Sequence, residues 1–587
     1  MPALPVTPGK VTGVAVSVAV AVPVAVAVAV AVAVAVAVGV AVAVAVAVAV
    51  GVAAGGGLSQ ATTRATKSEA CRSERMPPFY TTLDADAMRV GAHTTRTSIA
   101  LARWRAMSQP NKWAVLAIVA LGVFMATLDS SIVNISLPAI ATHFHVPLGG
   151  AIAWIVIAYL VVIAALLLTI GRGADILGRK LVWIAGLVLF TAGSTLCGLA
   201  PSLPFLIAAR AGQGVGAAML MAISPAMLTS AFPARERGRA LGLNAIFVAL
   251  GVSAGPTLGG VLTDRFSWRF IFFVNVPIGI AAVLATAHVL RGERLFERRG
   301  HVRFDVAGAL LLGFGLAAAT GALSFGSEVG WRSPFVIVAL VGAAIAFAIL
   351  VPLERRRARD AIVDPSFFRD RVFASATVAL VLSFLGLFAT SFVMPFYLEQ
   401  LRGFSTLKAG LVLTAVPATI AVVSPISGSL ADRIGTRALT ATGMAIAAIG
   451  LVLVANVGDD SGIPRIVLAL VVVGAGQAMF QPPNNSALMG AAPRDRQGVA
   501  SGVLATARVV GQSMSVAVAG AIMGSLGASA AGRALASGAP HAAQAPVFLH
   551  GFRATLLVCA GVTVIASLAS LFRGREARTH EVAAASS

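Results

Sequence analysis

Charged side chains are scarce in this 587-residue chain: Asp, Glu, Lys and Arg make up 11% of it, with 23 acids against 44 bases. A water-soluble domain devotes about a quarter of its residues to those four types. With 58% of the residues apolar, there is too little polar surface to wrap a globule of this length, and a soluble enzyme is excluded. Cysteine is equally sparse. Cys71, Cys197 and Cys559 lie far apart, so no disulfide framework and no metal site are expected. His143 and His145 have the spacing of a surface pair rather than of a metal site. A GxxxxGK[ST] loop is missing, and no polar stretch is long enough to fold a nucleotide-binding domain, so neither ATP nor another cofactor is implied.

What the chain has instead is long apolar runs. Fourteen follow one another between about 113 and 571, separated by short polar loops, and a bilayer-spanning helix needs about 20 such residues. The implied class is an all-α polytopic membrane protein. Its net charge of +21 would suggest nucleic acid in a soluble protein, but here the bases sit in loops beside the spans. If the segment before the first span is cytoplasmic, the loops on that side hold about 25 Lys and Arg against about 8 on the other. The excess then records orientation, with both termini cytoplasmic, and no nucleic-acid partner is expected. Arg outnumbering Lys, with abundant Ala, Val and Gly, suggests a GC-rich bacterial genome.

From Val14 to Val52 every even position is Val, and every odd one is Ala except Ser17, Pro23, Gly39 and Gly51. Each exception is one base change from an Ala codon, so the tract reads as a slipped six-base repeat, and strict alternation is not a helical design. Residues 53 to 106 carry no periodicity and read as unstructured. The expectation is that residues 1–106 are not part of the working protein and that translation starts at Met107.

The remainder repeats itself. GRGADILGRK at 171–180 and GSLADRIGTR at 428–437 share Gly, Ala, Asp and Gly, each after the second span of a six-span block. Ala240, Gly242, Gly251, Ser253 and Gly260 return 260 positions later as Ala500, Gly502, Gly511, Ser513 and Gly520. This predicts two similar six-helix bundles, 107–290 and 373–572, around two extra spans with their linkers at 291–372, and a cytoplasmic tail at 573–587. Parallel repeats of this kind place a binding site at mid-membrane in many carriers.

Individual motifs then carry a resemblance. The loop with Gly171, Ala174, Asp175, Gly178, Arg179 and Lys180 resembles the cytoplasmic signature of the major facilitator superfamily, although Gly173 and Ile176 replace the usual Leu and Arg; the second copy keeps that Arg as Arg433, beside Asp432. LDSSIVNISLP, Leu128 to Pro138, is similar to the first-span motif of the fourteen-span drug:proton antiporters, and RAGQGVGAA, Arg210 to Ala218, to the superfamily's fourth-helix motif. GVSAGPTLGG, Gly251 to Gly260, resembles the antiporter motif, with Gly251, Gly255 and Gly259 on one smooth helix face and Pro256 bending the helix. SWRFIFFVNVPIG, Ser267 to Gly279, looks like the same family's lead into its sixth span.

The residues themselves suggest roles. Asp129 is the one acid placed well inside an apolar run, where an ionised carboxylate costs about 2.5–3.5 kcal/mol and so faces a cavity or a partner. The alternative is a structural carboxylate packed against Ser130, Asn134 or a neighbouring helix. Arg210 cannot deprotonate, so it can tune a nearby acid but not carry the proton, and its partner could be Asp129. The candidate proton and substrate cavity is Asp129, Asn134, Trp154, Tyr159, Arg210, Gln213, Arg508 and Gln512. Trp154 and Tyr159 could stack on a flat or cationic ligand or serve as interface anchors. Gln477, Pro482, Asn484 and Asn485 interrupt the twelfth span, as ligand contacts or interhelical hydrogen bonds. Gly171, Asp175, Gly178, Arg179, Asp432 and Arg433 form the candidate cytoplasmic gate, and Gly251, Gly255, Pro256, Gly259 and Gly260 the surface on which the halves close.

The resemblance implies a proton-driven exporter of small amphipathic or cationic compounds in the bacterial inner membrane, a monomer with no catalytic residues. Its expected partners are substrate, protons and the lipid bilayer, with a periplasmic adaptor as an additional option. The alternatives are export of one metabolite or siderophore, a proton-coupled importer, or a membrane scaffold that transports nothing.

Overall fold

The computed structural model describes residues 111–147, 150–233, 236–291, 306–357, 365–492 and 497–572. The Val-Ala tract, the segment up to Met107 and the tail lie outside the described residues. Fourteen described helices are long and apolar enough to cross a membrane. A helix satisfies its own backbone hydrogen bonds, and so an apolar run can enter hydrocarbon in this form. In chain order they are α1 (Lys112–His143), α2 (Gly150–Leu177), α3 (Arg179–Gly198), α4 (Leu203–Ala231), α5 (Arg237–Arg265), α6 (Asn275–Val289, led by a single turn Phe270–Phe273) and α7 (Val306–Val329). Then come α8 (Pro334–Arg357), α9 (Arg371–Phe396), α10 in two pieces (Thr406–Leu413 and Ala415–Ile434), α11 (Thr436–Ala455), α12 (Ile463–Ala491), α13 (Gln497–Ser525) and α14 (His541–Leu571).

Polar side chains set several helix starts. Asn111 Oδ1 accepts from Trp113 N at α1, Ser202 Oγ from Phe205 N at α4 and Asp370 Oδ1 from Val372 N and Phe373 N at α9. The loop carrying the first repeat motif is tighter than the sequence suggests: α2 continues through Asp175 to Leu177, and Gly178 alone, at φ +92°, reverses the chain into α3. Gly435 does the same between α10 and α11 at φ +88°. Side chains rarely adopt either backbone, which is why both copies keep glycine there.

The two bundles, α1–α6 and α9–α14, share their packing. A Cβ built on Gly214 of α4 would lie 2.8 Å from Tyr159 O and 3.3 Å from Val162 in α2. One on Gly474 of α12 would lie 2.8 Å from Val416 O and 3.0 Å from Thr419 in α10. Likewise Gly251 of α5 meets Phe124 O in α1, and Gly511 of α13 meets Val381 O and Phe384 in α9. The same pairs of helices therefore touch through glycine at equivalent places. Of the two inserted helices, α7 lies against α2 of one bundle and α13 of the other, where Trp154 stacks on Phe325 with ring centroids 6.3 Å apart. The second, α8, packs on α7 and is otherwise largely exposed.

The bundle has a basic end, where Lys112, Arg179, Lys180 and Arg433 sit, and a far end holding residues 144–147, 330–333 and 402–405. At the far end the bundles are closed along α5 and the first piece of α10. A Cβ on Gly260 would lie 2.7 Å from Thr406 O, one on Gly410 would strike Pro256 O, and Thr257 Oγ1 and Thr414 Oγ1 are 2.6 Å apart. Toward the basic end α5 makes little contact with the second piece of α10, and Ile246, Leu250, Val422 and Ile426 are exposed. The seam between α2 and α13 stays shut there through Gly502 against Leu168. The gap is therefore one-sided.

This arrangement corrects the expected use of the glycine face. Gly251, Gly255 and Gly259 pack on Phe124, Ser131 and Ile132 of α1, inside one bundle. Pro256 and Gly260, roughly a quarter turn away or more, are the residues of the motif that meet the other bundle. The helices also run about a turn beyond the predicted spans, which brings Glu328, Glu354 and Glu399 inside α7, α8 and the π-helical turn Tyr397–Leu401 that prolongs α9. All three lie within a turn of a helix end, and among the described residues Asp129 is the one acid well inside a helix.

Candidate functional site

Asp129 sits on the eighteenth residue of α1 and is wholly enclosed, as is Arg210, in the third turn of α4. Their approach depends on close helix contacts: Gly193 of α3 lies against the backbone of Gln213, where a Cβ would come within 2.8 Å of its Cα. Arg210 Nη1 donates to Asp129 Oδ2 at 2.6 Å and to Gln213 Oε1 at 2.7 Å. Its Nε donates to Ile155 O of α2 at 3.1 Å, and Tyr159 lies under the guanidinium, 4.1 Å from its ring centroid. The other carboxylate oxygen, Asp129 Oδ1, accepts from Gln213 Nε2 and from Asn275 Nδ2, both at 2.9 Å. Asn275 Nδ2 also reaches Ser194 Oγ at 3.1 Å, whose hydroxyl donates to Phe272 O.

Five helices thus converge on one buried ion pair. Removing two charges from water costs several kcal/mol per ion, and the cost is recovered only where geometry is good and the remaining polar atoms are satisfied. Here every donor aimed at Asp129 suits an ionised carboxylate, and the guanidinium finds three acceptors. At the spacing of 260 residues that relates the bundles, Asp129 and Arg210 correspond to Ala389 and Leu470. The charge pair belongs to one bundle alone.

The predicted residues divide accordingly. Asp129, Tyr159, Arg210 and Gln213 are brought together. Asn134 is buried one turn on, with its Oδ1 unpartnered. Trp154 is not part of the cluster: it faces α7 and packs on Phe325 at the junction of the bundles. Arg508 and Gln512 lie on α13 in the other bundle. Among the gate residues, Gly171 faces Ala222, and Arg179 Nη1 donates to Ala226 O of α4 at 3.0 Å, a contact within one bundle. Arg433 is exposed at the basic end, and the side chains of Asp175 and Asp432 lie outside the described residues. In the twelfth span Asn484 Nδ2 donates to Ala376 O of α9, an interhelical bond.

Asn275 and Ser194 were not singled out in the sequence. The signal for Asn275 was available, a lone amide in the apolar run FFVNVPIG, whereas Ser194 has none. Removing the amide in Asn275→Ala should lower stability by about 1–3 kcal/mol through the lost charge-assisted bond, read as a lower melting temperature of the purified protein in detergent; an unchanged melt would remove Asn275 from the network.

Residues 119–304 and 305–516 match the Major Facilitator Superfamily. The riboflavin transporter RibZ of Clostridioides difficile is 35% identical over 397 residues, 68% of this chain and 85% of that one. The multidrug resistance protein Stp of Mycobacterium tuberculosis is 35% identical over 416 residues, 70% of this chain and 76% of Stp. The tetracenomycin C resistance and export protein of Streptomyces glaucescens is 31% identical over 413 residues, 70% of this chain and 76% of that one. A bacterial homologue of the human lysosomal transporter Spinster, crystallised inward-facing and unoccupied, shares the fold with a TM-score of 0.58 at 16% identity, over 80% of this chain and 99% of that one. With fourteen membrane-length helices among the described residues, paired bundles and a buried ion pair between α1 and α4, the chain is a multi-pass membrane protein that belongs to the major facilitator superfamily.

Proposed function

We propose that this transporter exports small amphipathic compounds from a bacterial cytoplasm in exchange for protons, by alternating access across the cytoplasmic membrane. The observation that carries the reading is the enclosed Asp129–Arg210 pair, because it gives one bundle a buried carboxylate whose partners come from several of its helices. The excess of Lys and Arg supports a cytoplasmic setting for the basic end. The gap between α5 and the second piece of α10 then faces the cytoplasm and inner leaflet, and the closed seam at Gly260 and Gly410 faces outward.

In this conformation Arg210, Gln213 and Asn275 all donate to the Asp129 carboxylate. Opening the far end admits water toward α1 and α4, the pair loosens, and Asp129 takes a proton from outside. Return to the present conformation restores the pair and releases the proton inward. Arg210, always charged, sets the two affinities without carrying the proton. One pH unit supplies about 1.4 kcal/mol and 100 mV about 2.3 kcal/mol per charge moved, enough for tenfold-scale export per proton. No ATP enters this cycle.

The name of Stp supports export of many drugs, that of the tetracenomycin C resistance and export protein export of one compound, and that of RibZ a single-metabolite reading. A susceptibility panel separates them. Expression in an efflux-deficient host should raise tolerance to several unrelated amphiphiles; a gain for none of them sinks the multidrug reading.

A further inference from the structure

The buried charges of the second bundle are not balanced as those of the first are. Arg508 lies on α13, 11 residues from its start at Gln497 and 17 from its end at Ser525, so at about 1.5 Å per residue it stands near mid-membrane. Among the described residues its guanidinium makes no hydrogen bond and no ion pair. Its Nε is enclosed without an acceptor, and the nearest aromatic face, that of Phe384 in α9, is 5.6 Å away. Ser501, Ala505, Arg508 and Gln512 are partly exposed along one face of α13, while Val503, Thr506, Ala507 and Val509 between them are buried. Packed by α2, α7, α9 and α14, α13 is surrounded by other helices, which favours an interior rather than a lipid-facing setting for that face. Gln512, one turn along, also has no hydrogen-bond partner among the described residues.

A guanidinium at this depth stays charged and strongly disfavours isolation, so it calls for an anion. The Asp129 carboxylate is already neutralised by Arg210. At the 260-residue spacing Arg508 corresponds to Val248, which shows that the bundle packing does not itself require a cation there. We infer that Arg508, with Gln512 beside it, is the docking point for an anionic group on the transported compound, a carboxylate or a similar oxyanion that the planar guanidinium grips through paired hydrogen bonds. This rests on reading the chain as a transporter of small compounds, and it departs from the cationic substrates that the first-span motif suggests.

The test is binding to the full-length protein in detergent, with no gradient, using 2-naphthoate, 2-naphthamide and 2-naphthylmethylammonium and reading the melting temperature. Naphthoate should stabilise the wild type and the other two should not. Arg508→Gln should melt no lower than wild type without ligand and weaken naphthoate at least about tenfold, the scale of one lost charge-assisted contact; Arg508→Lys should keep part of the affinity. A chloride titration separates an inorganic counterion from an organic one. Stabilisation by the ammonium compound, by chloride alone or by none of the probes, or naphthoate binding that survives Arg508→Gln, overturns the proposal. Because no proton gradient is used, a protein that binds naphthoate yet exchanges no protons would contradict the antiport reading and leave this one standing.

Discussion

Replacing Asp129 by asparagine is expected to cost the folded protein about 3–5 kcal/mol, the effect of stripping one member from a buried ion pair, and to end proton-driven transport. Arg210 cannot lose its charge, so the substitution leaves a cation enclosed among Ile155, Tyr159 and Gln213 with no counter-charge. An asparagine also has one acceptor oxygen in place of two, so it cannot accept from Arg210 on one side and from Gln213 and Asn275 on the other. A second substitution separates stability from function. Asp129→Asn with Arg210→Gln removes both charges, so the double variant should melt well above the sum of the single losses while transport stays absent. Melting temperatures for the four proteins form the cycle; strict additivity would mean that the pair is not energetically coupled.

Gly410→Val should shift the transporter away from the conformation described here. At Gly410 a side chain runs into Pro256 O across the far-end seam, a contact made while that end is closed. Overpacking of this kind costs typically about 1–3 kcal/mol, and because the open form escapes it, the ratio of conformers should move by roughly five- to 150-fold. A cysteine placed at Thr414, whose hydroxyl now meets that of Thr257 at 2.6 Å, should then react faster with an impermeant maleimide added outside. Gly255→Val is the control. Its clash is with Ser131 and the backbone of Ile132 in the same bundle, so it should lower stability without changing that accessibility. Unchanged labelling in Gly410→Val would show that the seam does not open during the cycle.

The sequence disclosed the architecture because hydrocarbon imposes the same demand on every span. Runs near 20 residues and basic loops were visible without any contact, and the 260-residue echo gave the relation between Gly251 and Gly511. The charges at Asp129 and Arg210 were equally visible, since a charge in an apolar run stands out. Hidden from the sequence was which way each small or polar residue points. Gly255 and Pro256 are neighbours, yet one packs on α1 and the other against α10. Trp154 and Tyr159 share a helix, yet one meets α7 and the other Arg210. Those directions depend on helix rotation within the bundle, and an isolated span sets no rotation. Ser194 shows the same limit, as an ordinary serine until α3 and α6 meet.

The central claim is that Asp129 is the proton site of an exporter, and pH gradients in everted membrane vesicles test it most directly. Vesicles containing the wild type, energised to an acid interior, should lose part of the gradient when a transported compound is added, and vesicles with Asp129→Asn at equal protein level should lose none. Gradient collapse of the same size in the Asp129→Asn vesicles would contradict the account.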